Sequence, residues 1–152
     1  MSFFFNDGNK KELLKELKKW EGTPYRHRMM KMNKGCDCIH FVIAIMNHFG
    51  ILTVKEKDIP EYSRDRHLHN THSLLIEHFC KHKNFIDVYR NKNKNFMDGD
   101  ILFFSVGMTI GHVGIYCDKL IYEATVKGGV MGLTFGNSSW HSRLKKVMRA
   151  IR

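Results

Sequence analysis

The amino-acid sequence predicts an α+β fold in which N-terminal helices pack on an antiparallel β-sheet. Apolar residues recur at helical spacing from Leu13 to Trp20, and residues 39–49 are apolar on almost every side. After Asp100 the pattern changes to short segments rich in β-branched and aromatic residues, separated by Gly or Asp turns. Helices followed by a run of neighbouring strands are typical of an α+β domain with an antiparallel sheet.

The individual elements follow from local signals. The first helix is predicted to begin after Asn9, with Glu12 as its capping partner, and to end at Gly22. The second helix is predicted over residues 39–49, with Gly50 ending it, which places Cys38 at its N-terminus. A short helix is expected at residues 71–83, with Leu75 and Phe79 facing inward, and strands are expected at residues 85–90, 101–106, 112–117, 120–125, 130–135 and 147–151.

Length, composition and charge limit the class of protein. The 152 residues, 43% of them hydrophobic, suit a single domain spanning residues 1–152. Residues 1–7 turn polar too soon for a signal peptide, and no apolar run approaches the ~20 residues of a membrane helix, so we expect cytoplasmic synthesis and no transmembrane segment. The formal charge of +10 favours a polyanionic partner, although a solvated lysine-rich face is an equal alternative.

Three residues carry the strongest chemical signals. Cys38 lies at a predicted helix N-terminus, where N–H groups and the helix dipole stabilise a thiolate, although a buried, inert cysteine is the alternative. His112 follows Gly111 at the predicted start of a strand, where it could act as a general base or simply end the strand at the surface. Glu123 lies on the next strand, within reach of the second imidazole N–H, although an exposed strand Glu needs no such role.

Five blocks, in the right order, resemble the NlpC family of cell-wall cysteine peptidases. They are Gly22-Thr23-Pro24-Tyr25, Asp37-Cys38 before an apolar helix, Gly-Asp-Ile-Leu-Phe-Phe at 99–104, His112-Val113-Gly114-Ile115-Tyr116, and a Trp followed by a basic final strand at 140–152. The resemblance implies a papain-like NlpC fold and cleavage of an amide bond in peptidoglycan stem peptides, without a cofactor. It implies that Cys38 is the nucleophile, His112 the base, Glu123 the third polar residue, and Tyr25 a neighbour that helps to stabilise the oxyanion.

The sequence also departs from the family pattern. Ile39-His40 follow Cys38 where the family usually has Ser-Gly, a variant closer to phage-encoded members, for which delivery by the phage or release would bring the enzyme to the wall. Glu123 stands where His, Asn or Gln is common. Residues 53–96 lengthen the separation between nucleophile and base, and we predict that they form an insertion that shapes or covers the cleft.

Other classes of function remain as alternatives. A structural metal site has candidate ligands, but their spacing departs from that of zinc knuckles, so no metal is predicted. The candidate ligands are Cys36, Cys38, His40, His67, His69 and His72. A nucleic-acid-binding module is permitted by the basic ends but has no recognisable motif, so a nucleic-acid partner is not expected. A non-catalytic structural module of a phage or of the wall is opposed by the intact Cys38 and His112.

Overall fold

The computed structural model describes residues 2–6, 8–59, 79, 81–106 and 109–152, and it confirms the α+β class. Within these residues two α-helices accompany a six-stranded antiparallel sheet and a separate two-stranded hairpin. The helices are α1 (Lys10–Trp20) and α2 (Cys38–His48). The strands are β1 (Met30–Lys31), β2 (Gly35–Cys36), β3 (Phe85–Asp87), β4 (Ile101–Val106), β5 (Thr109–Cys117), β6 (Leu120–Thr125), β7 (Gly129–Thr134) and β8 (Leu144–Ala150). Short 3-10 helices lie at Glu56–Asp58 and Ser139–Arg143.

Helix α1 forms where its apolar periodicity predicts, and it buries the face that carries Leu13 and Trp20. The prediction of a capping box at its start is wrong. The side chain of Asn9 makes no cap to the helix; its Oδ1 accepts from the N–H of Asn6 at 2.8 Å and its Nδ2 donates to the carbonyl of Phe4 at 2.7 Å. The amide is therefore used to close the turn before the helix.

Helix α2 begins at Cys38, as predicted, and is buried along most of its length. Asp37 caps it, because its Oδ1 accepts the N–H of His40 at 2.9 Å. The helix packs against β5 and β6, which places its N-terminus beside the sheet. The all-round apolar character of residues 39–49 thus reflects a central helix.

The six-stranded sheet has the order β3-β8-β4-β5-β6-β7, and apolar side chains cover both of its faces. Phe103 and Val113 face α1 and α2 in the larger core. Their alternating neighbours, among them Leu102, Phe104 and Ile121, form a second apolar cluster on the opposite face. A sheet covered on both sides gives the polar groups embedded in it an environment of low solvent exposure.

Some strand boundaries differ from the sequence prediction. Strand β5 begins at Thr109, so His112 lies within the strand and not at its start. The extension exists because Ile110 still pairs with Ser105 beyond a bulge at Gly111 of β5, which the pairing register with β4 skips. Strand β8 begins at Leu144, three residues before the predicted start, and β3 is shorter than the predicted 85–90.

Two other parts of the chain can be compared with the sequence prediction: the β1–β2 hairpin and residues 71–83. The β1–β2 hairpin was not predicted, because two-residue strands leave no periodic signal. Most of the helix predicted at 71–83, including Leu75, lies outside the described residues, whereas Phe79 is fully buried as expected. None of the described helices is long and apolar enough to cross a membrane.

The segment after α1 joins the outer edge of β7. The N–H of Gly22 donates to the carbonyl of Val130, and the N–H of Val130 donates to the carbonyl of Thr23, both at 2.9 Å. Gly129 permits this close approach, because a Cβ there would collide with the Thr23 carbonyl and its φ is +71°. The same segment then carries Tyr25 into a parallel bridge with Cys36, beside the start of α2.

Candidate active site

Cys38 is held at the start of α2 by a tightly packed turn. Gly35 lies against Arg26 and Met29, and a Cβ at this position would come within 2.6 and 2.7 Å of their side chains. The carboxylate of Asp37 accepts the N–H of Arg28 at 2.8 Å in addition to capping α2. Cys38 itself is 1% exposed, so its thiol lies inside the protein at a helix N-terminus.

The structure brings Cys38, His112 and Glu123 into one line of contacts. The Nε2 of His112 lies 3.1 Å from Oε1 of Glu123, and the imidazole is also hydrogen-bonded to the side chain of Cys38. Since Nε2 is engaged by the carboxylate, Nδ1 is the ring nitrogen that remains for the thiol. The predicted proximity of the three side chains is therefore observed.

The contact between His112 and Glu123 is diagonal. Continuing the register in which Ile115 pairs with Tyr122 places Gly114, and not His112, directly opposite Glu123. The absence of a side chain at Gly114 avoids a collision with Ile121 on β6, next to Glu123. A Cβ there would lie 2.7 Å from Cγ2 of Ile121 and 3.4 Å from Cβ of Glu123.

The electrostatics of the pair follow from this geometry. Burial alone would lower the pKa of His112, but the hydrogen bonds and charge interactions with Cys38 and Glu123 outweigh it and raise the pKa from 6.5 to about 9. Burial favours the neutral form of Glu123, but hydrogen bonds from His112 and His141 overcome it and hold the pKa of the carboxyl below its usual value. The site therefore favours an imidazolium next to a carboxylate.

Two residues of this site were missed in the sequence. The ring of Trp140 stacks on His112, with centroids 5.6 Å apart and planes inclined by 25°. His141, 1% exposed, places its Nε2 2.9 Å from Oε2 of Glu123. The available signal was the Trp-His pair that opens the closing block at 140–152, but a sequence does not show that a 3-10 turn returns this pair to β6.

Cys36 and Cys117 differ from Cys38 in their surroundings. Both are free and fully buried. Burial, reinforced by Asp37 and Cys38, raises the pKa of the Cys36 thiol to about 12. Burial, with Asp98 and Asp118 nearby, does the same for Cys117. Neither thiol is poised to ionise near neutral pH.

The candidate metal ligands that the structure describes, Cys36, Cys38 and His40, do not surround a common point. The Nδ1 of His40 lies 2.9 Å from Oδ1 of Asp37, and Cys38 faces His112. Among the described residues no group of three or more His, Cys, Asp or Glu side chains is arranged to hold a metal ion. His67, His69 and His72 lie outside the described residues.

Tyr25 is partly buried against the main core. It lies beside Cys36, which precedes Cys38 by two residues in the sequence. Its backbone bridges Cys36, and the neighbouring N–H of Arg26 donates to the Cys36 carbonyl at 3.0 Å. The backbone of Tyr25 thus lies beside the strand that leads into α2, and the role of its hydroxyl stays a prediction.

A thiol at the start of a central helix, facing an imidazole and a carboxylate on adjacent antiparallel strands, defines a papain-like fold. The NlpC/P60 family profile matches residues 22–149. The chain belongs to the NlpC/P60 family, which is a family of hydrolases.

Relatives agree with this assignment. The chain is 29% identical over 138 residues to a probable endopeptidase NlpC from Escherichia coli K12, covering 88% of this chain and 73% of that protein. An NlpC/P60 family protein from Bacillus cereus superposes with a TM-score of 0.63 at 19% identity, over 94% of this chain. The present chain spans only 40% of that protein. The NlpC/p60 domain of the peptidoglycan hydrolase SagA superposes with a TM-score of 0.55 at 18% identity, covering 91% of this chain and 97% of that domain.

Proposed function

We propose that this chain is a cysteine hydrolase that cleaves an amide bond in peptidoglycan stem peptides through an acyl-enzyme intermediate. The observation that carries the proposal is the continuous line from Cys38 through His112 to Glu123, with a His112–Glu123 distance of 3.1 Å. The substrate class rests on family membership and on the printed names of relatives, namely an endopeptidase and a peptidoglycan hydrolase.

The proposed reaction is an acyl transfer in two steps. The proton of Cys38 resides on His112, and the thiolate attacks the amide carbonyl to form a C–S bond. His112 then donates its proton to the nitrogen as the C–N bond breaks, which releases the amine and leaves a thioester. Water, deprotonated by His112, then attacks the thioester carbonyl. A C–O bond forms as the C–S bond breaks, which releases the carboxylic acid and returns the Cys38 thiolate beside the protonated His112. Glu123 stays ionised throughout and stabilises the imidazolium.

The oxyanion is assigned to the start of α2. N–H groups in the first turn of a helix point toward its open end, and that of Cys38 is adjacent to the attacking sulfur. We assign Tyr25 as a second donor, because its segment is bridged to Cys36 next to this turn.

We further propose that residues 1–152 form one catalytic domain and that residues 53–96 are an insertion that shapes the cleft. Two described parts of the segment support this. Ile59 and Phe79 belong to the main core, and Phe85 begins the edge strand β3. The segment therefore contacts the core of the catalytic helix at these residues, while its last part, with Phe96, packs against the apolar cluster on the opposite face of the sheet.

The proposal is tested by digesting purified sacculi and identifying the released fragments by mass spectrometry. We expect the wild-type protein to release stem-peptide fragments with one new amine and one new carboxyl group. Cys38→Ala and His112→Ala should each abolish release, because the two groups act as a unit. Cys117→Ala is the matched control, since it removes a buried thiol of the same sheet without touching the site, and it should retain activity.

A second arm separates catalysis from polyanion binding. If surface charge concentrates the enzyme on the wall, release from sacculi should fall as salt rises through ~0.15 M, while cleavage of a short soluble fragment changes much less. No release from sacculi of several wall chemistries, together with tight and salt-sensitive binding to DNA or RNA, would contradict the proposal and favour a nucleic-acid-binding module. Cleavage of an amide outside the wall would keep the mechanism and reject the substrate.

A further inference from the structure

His141 lies on the 3-10 helix Ser139–Arg143 and has both ring nitrogens engaged inside the protein. Its Nδ1 accepts the backbone N–H of Gly136 at 2.9 Å. Its Nε2 lies 2.9 Å from Oε2 of Glu123. Because Nδ1 uses its lone pair to accept a hydrogen bond, the ring proton must be on Nε2, which donates to the carboxylate. The backbone of Gly136 therefore fixes the tautomer of His141.

Glu123 consequently has one imidazole donor on each of its oxygens. Oε1 faces His112 on β5, and Oε2 faces His141. The carboxyl group is 0% exposed, so these contacts stand where water would otherwise solvate the anion. Removal of either imidazole would leave one buried oxygen of Glu123 without this hydrogen-bond donor, which is costly for a buried anion.

Aromatic rings hold His141 in this orientation. Its ring is parallel to that of Phe135, with an interplanar angle of 6° and centroids 5.4 Å apart. On another side the centroid of Phe104 lies 5.3 Å away, and Phe104 also lies 5.9 Å from His112. Stacking restricts rotation of a ring, which keeps the Nε2–H directed at Glu123.

We propose that His141 is a positioning residue that keeps Glu123 ionised and oriented for His112, extending the line from Cys38 to a fourth side chain. This inference rests on the proposed function, in which His112 must carry a proton. The titratable groups that face the carboxylate are His112 from β5 and His141 from the 3-10 helix, and Cys38 from α2 acts on it through His112. Lys94 lies over the Phe135 ring that stacks on His141.

The proposal determines the sign of a pH effect. Without His141 the buried carboxyl keeps one donor, and burial then favours its protonated form, so the pKa of Glu123 rises. A protonated Glu123 no longer stabilises the imidazolium that accompanies the Cys38 thiolate. Thiolate reactivity should therefore be lost at a higher pH on the acid side, while the rate well above the acid midpoint, where the thiolate is already formed, stays where it is.

The test uses two substitutions of the same residue. His141→Phe keeps a flat ring between Phe135 and Phe104 but removes both hydrogen bonds. His141→Gln returns an N–H donor toward Glu123. The measurement is the rate of Cys38 alkylation by iodoacetamide from pH 4 to 10, followed by peptide mass mapping. No substrate is needed, so failure of the peptidoglycan assignment does not affect it, and an unreactive Cys38 in the wild type would instead refute the nucleophile.

We expect His141→Phe to move the acid midpoint upward by about one pH unit or more, since a hydrogen bond to a charged group is lost. Halfway between the acid midpoints of the wild type and the variant the rate should fall about threefold, and below both midpoints about tenfold, whereas near pH 8 it should stay within about twofold. His141→Gln should recover part of the shift. In a Glu123→Gln background, His141→Phe should produce no further movement of the acid midpoint.

Two results would overturn the proposal. An unchanged profile in His141→Phe would show that Glu123 does not need the second donor. A rate that falls by the same factor at every pH would show that His141 only supports the fold. Should His141→Phe not fold, the ¹⁵N chemical shifts of His141 in the wild type decide the matter: a proton on Nε2 from pH 5 to 9 supports the proposal, and a proton on Nδ1 contradicts it.

Discussion

Replacing Glu123 with Gln should lower the pKa of His112 substantially. The pKa of His112 is raised from 6.5 to about 9 against the effect of burial, by Cys38 and Glu123. A rise of this size corresponds to about 3 kcal/mol in favour of the charged ring. Gln keeps an oxygen that can accept the Nε2–H but removes the negative charge. With Cys38 as the remaining partner, we expect a pKa at or below about 8 in Glu123→Gln.

The direct assay is an NMR titration of protein labelled at histidine, with the His112 signal assigned by its loss in His112→Asn. Glu12→Gln is the matched control, because Glu12 is exposed on α1 and far along the chain from the site. A pKa near 6.5 in the wild type, or the same value in the wild type and Glu123→Gln, would refute the electrostatic argument.

The same substitution should also change the pH dependence of the reaction. Below about pH 9 the wild-type His112 holds the proton that the leaving amine needs, and above it that proton is lost. The raised pKa of His112 also stabilises the folded state. This contribution to the free energy of unfolding is fully present below pH 6.5 and disappears as the pH rises through about 9. In Glu123→Gln the basic limb of the hydrolysis profile should move to lower pH by the same amount as the NMR titration, and a limb that stays in place would show that His112 does not supply this proton.

Two further pairs of substitutions test packing and burial. Gly114→Ala would place a methyl 2.7 Å from a buried side chain on β6, and we expect a cost of about 1–3 kcal/mol in urea unfolding together with slower Cys38 alkylation. Gly132→Ala meets only side-chain ends at 3.1 Å and should cost less than about 1 kcal/mol, so equal losses would contradict this. Arg149→Met removes both hydrogen bonds, at 2.7 and 2.8 Å, to the buried carboxylate of Asp100 and should cost about 3–5 kcal/mol. Lys146→Met removes a partly exposed ion pair with Asp87, 3.8 Å long, and should lower the free energy of unfolding by about 0–1 kcal/mol. Similar losses in Arg149→Met and Lys146→Met would show that burial does not determine the contribution of an ion pair.

The elements that the sequence predicted well are those with long, regular periodicity. Residues 39–49 are apolar on nearly every side, and their length favours a central helix that begins at Cys38. Strand β6 has the predicted bounds because turns flank it on both sides. The start of β5 was misplaced, because the pairing of Ile110 with Ser105 beyond the bulge at Gly111 depends on the partner strand, and a glycine in the sequence indicates a turn as readily as a bulge.

Within the site, the residues on regular helices and strands could be predicted, and the residue on a short turn could not. Cys38, His112 and Glu123 lie on regular elements whose order and alternation can be predicted, and the structure brings them together. His141 lies on a short 3-10 turn, and its 2.9 Å contact with Glu123 depends on the path of the chain between β7 and β8. No local pattern encodes that path. The tautomer of His141 depends in addition on a single backbone N–H from Gly136.

The pairing between the segment after α1 and strand β7 also bears on how the molecule avoids self-association. Strand β7 is the last of the six strands, and an open edge offers unpaired N–H and C=O groups to any passing chain. The two hydrogen bonds between residues 22–23 and Val130 occupy part of that edge from within the same chain. At the other end the sheet stops with β3, which is three residues long and offers little template for strand addition. Each edge of the sheet therefore offers a neighbouring molecule only a limited template for strand addition.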